Sequence, residues 1–298
     1  MKWMLALLFG LWPLVLTAQP RPMPGHIYGV TVDDISDQSD ITAALAAMPR
    51  FPAVRVVFDP GTGPAYYSAA LTDFRPHAFI MGEPVDSSAA KQYSLSSYTT
   101  RFQNYWNHFR NTVDLWEVGN EVNGNWLGSG MPAKIQAAFD VVHGAGGATM
   151  LTFFYMGEAS GTNCNDRASD DMFKWINANI ANGQHEAMRL GLTQVSVSWY
   201  PDQCPGVNPD WSYVFGRLAS IFPNSGVGFG EVGTPKAQLG SQHEIDLATK
   251  FYSLQGSGIT LPATYSEGIF WWYWKEDAVP MGMMPFWGVI ANLISNNP

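Results

Sequence analysis

Two glutamates carry the strongest chemical signal. Glu121 closes the stretch Trp116-Glu117-Val118-Gly119-Asn120-Glu121, and Glu231 closes Gly228-Phe229-Gly230-Glu231. Each ends a short apolar run of the kind that forms a buried strand. Two carboxyl groups flanking one bond are what glycoside hydrolysis needs, one protonated to serve the leaving oxygen and one ionised to attack the anomeric carbon. Unequal surroundings hold two such pKa values apart. An isolated glutamate is more simply explained by a surface cation, so it is the pair that points to chemistry. Arg55 lies in the apolar stretch Val54-Arg55-Val56-Val57, where a cation needs a buried acidic partner; Glu117 or Glu231 is the expected one. The run Phe270-Trp271-Trp272-Tyr273-Trp274 alternates faces if extended, so Trp272 and Trp274 share a side, while Trp271 is expected to pack between strand and helices. Trp126, just after Glu121, suits either a stacking site or a shield over its loop.

These residues need elements to hold them. Eight strand-like runs recur along the chain: His26–Asp33, Ala53–Asp59, His77–Gly82, Val113–Asn120, Ala148–Phe154, Thr193–Tyr200, Val227–Glu231 and Gly268–Trp274. Between several of them lie helical stripes, such as Tyr98, Phe102, Tyr105, Trp106 and Phe109, then Ile135, Phe139 and Val142, then Met172, Trp175, Ile176 and Ile180, and then Trp211, Val214, Phe215 and Leu218. Strand alternating with helix implies parallel pairing. Eight such units predict an α/β fold, a single (β/α)₈ TIM barrel, with an open doubly wound sheet as the competing arrangement. No Gly-x-Gly-x-x-Gly follows the first run, so a dinucleotide fold has no direct support. In a barrel the chemistry sits at the C-terminal ends of the strands, where Glu121, Tyr200, Glu231 and the aromatic run all fall.

The stretch Trp116-Glu117-Val118-Gly119-Asn120-Glu121-Val122-Asn123-Gly124 resembles the strand-4 motif of the clan A glycoside hydrolases, retaining enzymes on (β/α)₈ barrels. Their signature is an Asn-Glu pair after strand 4 and a nucleophilic Glu after strand 7, which Asn120-Glu121 and Glu231 match. The spacing of Glu117 from Glu121 is most similar to the cellulase-type family 5. The resemblance implies that Glu121 is the general acid/base and Glu231 the nucleophile. It also implies that Asn120 binds the sugar 2-hydroxyl, that Tyr200 donates a hydrogen bond to the nucleophile, and that Arg55 is the arginine near the end of strand 2. A strand-8 tryptophan lies under the sugar in that clan, and spacing to Lys275-Glu276-Asp277 favours Trp274, with Trp272 as the second candidate. The chain departs from family 5 at Ser198, where those enzymes usually carry His.

Composition narrows the partners. Lys and Arg number 16 against 25 Asp and Glu, a net charge of −9, and the chain of 298 residues carries 12 Trp, 12 Tyr and 17 Phe. That balance argues against disorder and against nucleic acid, which needs a basic face. Acidic residues about the mouth suit a neutral β-glycan, and loops 123–132 and 201–209 suit an open cleft with endo cleavage. No metal or organic cofactor is called for. Residues 1–18 read as a signal peptide, with Lys2, an uncharged run from Trp3 to Thr17 broken by Pro13, and a boundary at Ala18. The run is short for a membrane span, so no stable membrane insertion is expected. Residues 19–298 are then expected to form one catalytic domain, a secreted or periplasmic monomer. Cys164 and Cys204, both in polar segments, are expected to pair as a disulfide between surface loops.

Asp33, Asp34, Glu83 and Glu158 fall at or after strand ends and are expected to line subsites or cap loops. His26 and His77 open strands, away from the chemistry. A carbohydrate-binding barrel without hydrolysis, or a transglycosylase, is the alternative reading. An unrelated α/β hydrolase would need a Gly-x-Ser-x-Gly elbow, which neither Gly128-Ser129-Gly130 nor Gly256-Ser257-Gly258 supplies.

Overall fold

Apolar runs that are hydrophobic on both faces must be covered on both, and here they are. The computed structural model describes residues 19–156, 171–234 and 239–297. Its strands are β1 (Ile27–Val32), β2 (Ala53–Val57), β3 (Phe79–Glu83), β4 (Leu115–Gly119), β5 (Thr149–Phe154), β6 (Gln194–Trp199), β7 (Gly226–Val232) and β8 (Tyr265–Trp271). They form a closed barrel in chain order, with β1 parallel to both β2 and β8. The expected (β/α)₈ barrel is therefore the architecture. The open doubly wound sheet is excluded, because closure leaves no edge strand.

The outer layer is built from α1 (Gln38–Ala46), α2 (Ser68–Phe74), α3 (Leu95–Phe109), α4 (Met131–His143), α5 (Met172–Asn179), α6 (Glu186–Gly191), α7 (Trp211–Ile221), α8 (Gln242–Tyr252), α9 (Trp274–Ala278) and α10 (Phe286–Asn296). The stripe Tyr98, Phe102, Tyr105, Trp106 and Phe109 is the buried face of α3. Side-chain caps start four of the helices. Ser94 accepts from the Ser97 N–H at 3.1 Å, Asp171 from Lys174 at 2.9 Å, Asp210 from Tyr213 at 3.1 Å and Ser241 from Glu244 at 3.2 Å. Each satisfies a backbone donor that the first turn leaves free. Among the described residues no helix is long and apolar enough to cross a membrane.

The barrel interior is layered by the two-residue period of its strands. Ile27, Ala53, Met81, Leu115, Met150 and Phe270 pack together as an apolar plug toward the N-terminal end. Two residues further along β2, β3, β4 and β5 stand Arg55, Glu83, Glu117 and Thr152, all buried. A polar layer therefore rests on the plug and faces the C-terminal mouth. Alternate residues such as Val54, Ile80 and Val118 point out into the large core shared with the helices.

One feature differs from expectation. Strand β8 ends at Trp271 and α9 begins at Trp274, so the aromatic run is not extended throughout. The two-residue alternation that would put Trp272 and Trp274 on one side therefore does not apply. Cys204 is a buried side chain between the exposed residues Gln203 and Pro205; its expected partner Cys164, like Glu158 and residues 1–18, lies outside the described residues.

Candidate active site

Strand geometry alone would aim only every second residue into the mouth, yet the site uses neighbours. The register of β4 against β5 shifts between Glu117 and Gly119, and that of β6 against β7 shifts between Val197 and Ser198. Such bulges re-aim side chains at strand ends. At β4 the backbone turns further: Glu121 has φ +47, a left-handed conformation costly for a residue with a Cβ. That turn lets Asn120 and Glu121 serve the same space. Two glycines make room. A Cβ on Gly119 would lie 2.6 Å from Ile135 Cγ2, and one on Gly230 would lie 2.7 Å from Thr152 Cγ2.

Arg55 is the hub of the polar layer. Its Nη1 donates to Glu231 Oε2 at 2.6 Å, its Nη2 is 2.9 Å from Glu117 Oε2, and its Nε lies 3.0 Å from Glu83 Oε2. The pairing expected with Glu117 or Glu231 thus takes in both, and adds Glu83. Thr152 donates to Glu117 Oε1. Burial by itself would lower the Arg55 pKa, but the carboxylates beside it, Glu117 foremost, outweigh it and hold the guanidinium charged.

Glu231 and Glu121 sit in contrasting surroundings. Three donors converge on Glu231: Arg55 and Asn120, the latter at 3.1 Å, reach Oε2, and the Tyr200 hydroxyl reaches Oε1. Among the described residues Glu121 accepts one hydrogen bond, from Ser87 Oγ at 2.9 Å to its Oε2. Burial, then the charge of Glu231, push the Glu121 pKa well above the usual carboxylate range, against the weaker opposing pull of Ser87. One carboxyl is placed to accept; the other is placed to keep a proton. Burial and Glu231 likewise push Tyr200 well up, so its hydroxyl stays a donor.

Both glutamates open on a cleft of about 460 Å³, whose walls include Asp86, Trp126, Phe154, Gln203, Trp272 and Tyr273. Trp272, just beyond the end of β8, faces this space, and the Arg55 guanidinium lies 5.2 Å from its ring centroid. Trp274, the favoured platform residue, is fully buried in the core. Its assignment is corrected: a side chain with no accessible face cannot stack on a ligand. Trp126 forms an edge-on contact with Phe154, ring centroids 5.6 Å apart, and lies against Gly124, so it is both a cleft wall and a cover for its loop. Sequence reasoning missed Ser87 and Asp86, in the polar turn after β3, and Phe154, at the end of β5. Their positions just beyond strand ends were the available signal. Glu83 lines no subsite; it turns inward to Arg55. Asp34 instead ties to Lys275, 3.3 Å away, linking the loops after β1 and β8.

No protein-family model matches the chain, and no curated protein matches it. Solved structures do. The chain is similar to the catalytic domain of the major endoglucanase from Xanthomonas campestris pv. campestris, with 10% identity, a TM-score of 0.54, and coverage of 91% of this chain and 95% of that one. It is similar to a β-glucosidase designated 1317, with 13% identity, a TM-score of 0.56 and 89% of each chain covered. It is also similar to Saccharomyces cerevisiae Gas2p in complex with laminaritriose and laminaritetraose, with 12% identity, a TM-score of 0.54, and coverage of 95% of this chain and 69% of that one. At these identities the likeness is one of fold.

Proposed function

We propose that this chain is a retaining glycoside hydrolase that cleaves a neutral β-linked polysaccharide or oligosaccharide by double displacement, with endo cleavage favoured. The observation that carries the reading is the contrast between the two glutamates of one cleft. Glu231 accepts from Arg55, Asn120 and Tyr200, whereas Glu121 is buried with one donor and a raised pKa. Barrels of the same fold named as an endoglucanase and a β-glucosidase, and one bound to laminari-oligosaccharides, put β-glucan first among substrates to try.

In the first step a Glu231 oxygen attacks the anomeric carbon. The glycosidic bond breaks, and its electron pair leaves with the oxygen that takes the proton of Glu121. The sugar is then an ester of Glu231, and Glu121 is ionised. In the second step Glu121 takes a proton from water, the water oxygen attacks the anomeric carbon, and the ester bond returns its electrons to Glu231. Asn120 holds the 2-hydroxyl, and Arg55 and Tyr200 hold Glu231 in line. Trp272 and Trp126 offer ring faces to sugar C–H groups. The charge of −9 and Asp86 in the cleft wall favour a neutral glycan over an acidic one. Residues 1–18 act in this reading as a cleaved export signal, giving a secreted or periplasmic protein, and Cys164 pairs with Cys204.

The test is hydrolysis of β-glucans, mannans, galactans and xylans by residues 19–298, with Glu231→Ala alongside. The variant is expected to lose about 10⁴-fold or more in kcat. Azide is expected to restore turnover with an inverted glycosyl azide product, because it enters the space of the missing carboxylate. Binding of a glycan by the unmutated chain without any cleavage would replace this reading with that of a binding barrel.

A further inference from the structure

The polar layer holds more acid than base. Arg55 is its one contacting guanidinium among the described residues, and Glu83, Glu117 and Glu231 all lie within 3.1 Å of its nitrogens. Glu117 and Glu231 have further donors in Thr152, Asn120 and Tyr200. Glu83 has none among the described residues: both of its oxygens are fully buried without a hydrogen-bond donor of good geometry, although one touches Arg55. A buried carboxylate with so little compensation is the most costly of the three to leave ionised. The titratable groups that face it among the described residues are Arg55 on β2, Asp86 in the turn that follows β3, Tyr98 on α3, Glu117 on β4 and Glu231 on β7, so three of its four charged neighbours are acids.

We propose that Glu83 is a positioning residue that works as a neutral carboxylic acid: it fills the Nε side of Arg55 without drawing on its charge, leaving the guanidinium to Glu117 and Glu231. The inference rests on the proposed role of Glu231 for its meaning, but not for its test. Burial, with Glu117, Asp86 and Glu231 behind it and Arg55 opposing, pushes the Glu83 carboxyl well above its ordinary range, in keeping with this assignment. The arrangement explains why three acids converge on one cation. Two are anions that share it, and the third supplies shape.

The sign of the pH dependence separates this from an ordinary ion pair. A carboxyl that keeps its proton in the folded state but loses it on unfolding contributes less and less stability as pH rises above the ordinary value of 4.5. Glu83→Gln keeps shape and neutrality and removes that loss. Its melting temperature is therefore expected to gain on the unmutated chain between pH 5 and pH 8. An ionised Glu83 paired with Arg55 would carry its charge in both folded and unfolded chains over this range, so the difference between the two melting temperatures would stay flat from pH 5 to pH 8, and that result would overturn the proposal. A second readout needs no unfolding. The infrared difference between the unmutated chain and Glu83→Gln at pH 7 should show the loss of a neutral carboxylic acid carbonyl band. Loss of a carboxylate band instead would also overturn it. Both measurements are made without substrate, so failure to cleave any glycan would remove the proposed function and leave this result standing.

Discussion

The mouth and the floor of the barrel both bury ion pairs, but with opposite balance. At the floor, just before β4, the carboxylate of Asp114 has two cations to itself. Arg21 donates to it from Nη2 at 2.6 Å, from Nε at 3.3 Å and from its backbone N–H at 2.7 Å, the backbone N–H of Ile80 donates at 2.9 Å, and Arg75 lies 3.7 Å away. At the mouth one guanidinium is shared among three carboxyls, and a fourth, Glu121, lies close enough to feel Glu231. The floor acid is fully compensated and ties the segment around Arg21 to the barrel. The mouth acids are under-compensated, so protons are held there, and one is held by a residue in a strained backbone conformation. Excess buried charge and strain together mark the end where chemistry is expected.

The comparison can be broken most sharply at Glu121. Glu121→Ala should cost about 10³-fold in kcat/KM on a glycan, whose leaving group needs a proton, and far less on an activated aryl glycoside. Equal losses on both would remove the acid/base role. At the floor, Asp114→Ala should cost about 3 kcal/mol of stability, because it strands Arg21 and the buried Ile80 N–H, while the pH profile of any activity of the remaining folded protein stays unchanged. Chemical denaturation with a parallel pH–rate profile checks both halves. Trp272→Ala should raise KM by about tenfold, in line with about 1–2 kcal/mol for a lost ring contact, with little change in melting temperature. A drop in stability without a KM effect would make it a core residue, as Trp274 is.

The smallest effect is in the pH dependence. Burial raises Glu121, Glu83 and Glu117 above 4.5, with neighbouring carboxylates adding to it and Arg55 opposing. Folded-state pKa values above the unfolded ones mean that the folded chain binds more protons, so stability declines as pH rises from about 4.5 toward those values. Activity should fall over the alkaline side for a related reason, as Glu121 loses its proton. Glu231→Gln removes the neighbouring charge and should lower the Glu121 pKa, which a carboxyl NMR titration would detect. A Glu121 pKa unmoved by that change would mean that burial alone sets it.

Much of the fold could be read along the chain because it depends on local pattern. Runs such as Ala53–Val57 and Thr149–Phe154 are apolar on both faces and therefore buried on both. The stripe on α3 and the caps at Ser94 and Asp210 are equally local. Arg55 was legible as buried from its valine neighbours, and Glu121 and Glu231 from their places after strand-like runs. The aromatic platform was misread because two-residue alternation was extended past the point where β8 ends. Where a strand stops depends on its neighbours β7 and β1, which Gly268–Trp274 does not reveal by itself.

Residue type and spacing thus determined the barrel class, the two glutamates and the need for a partner to Arg55, since hydrophobic period and the cost of an unpaired buried charge are properties of short segments. Only the tertiary structure decided that Glu83 turns inward to Arg55, that Ser87 reaches Glu121, and that Trp272 rather than Trp274 faces the cleft. Those outcomes depend on closure, bulge and register, which bring residues far apart in the chain within hydrogen-bonding distance and set which acids share one cation.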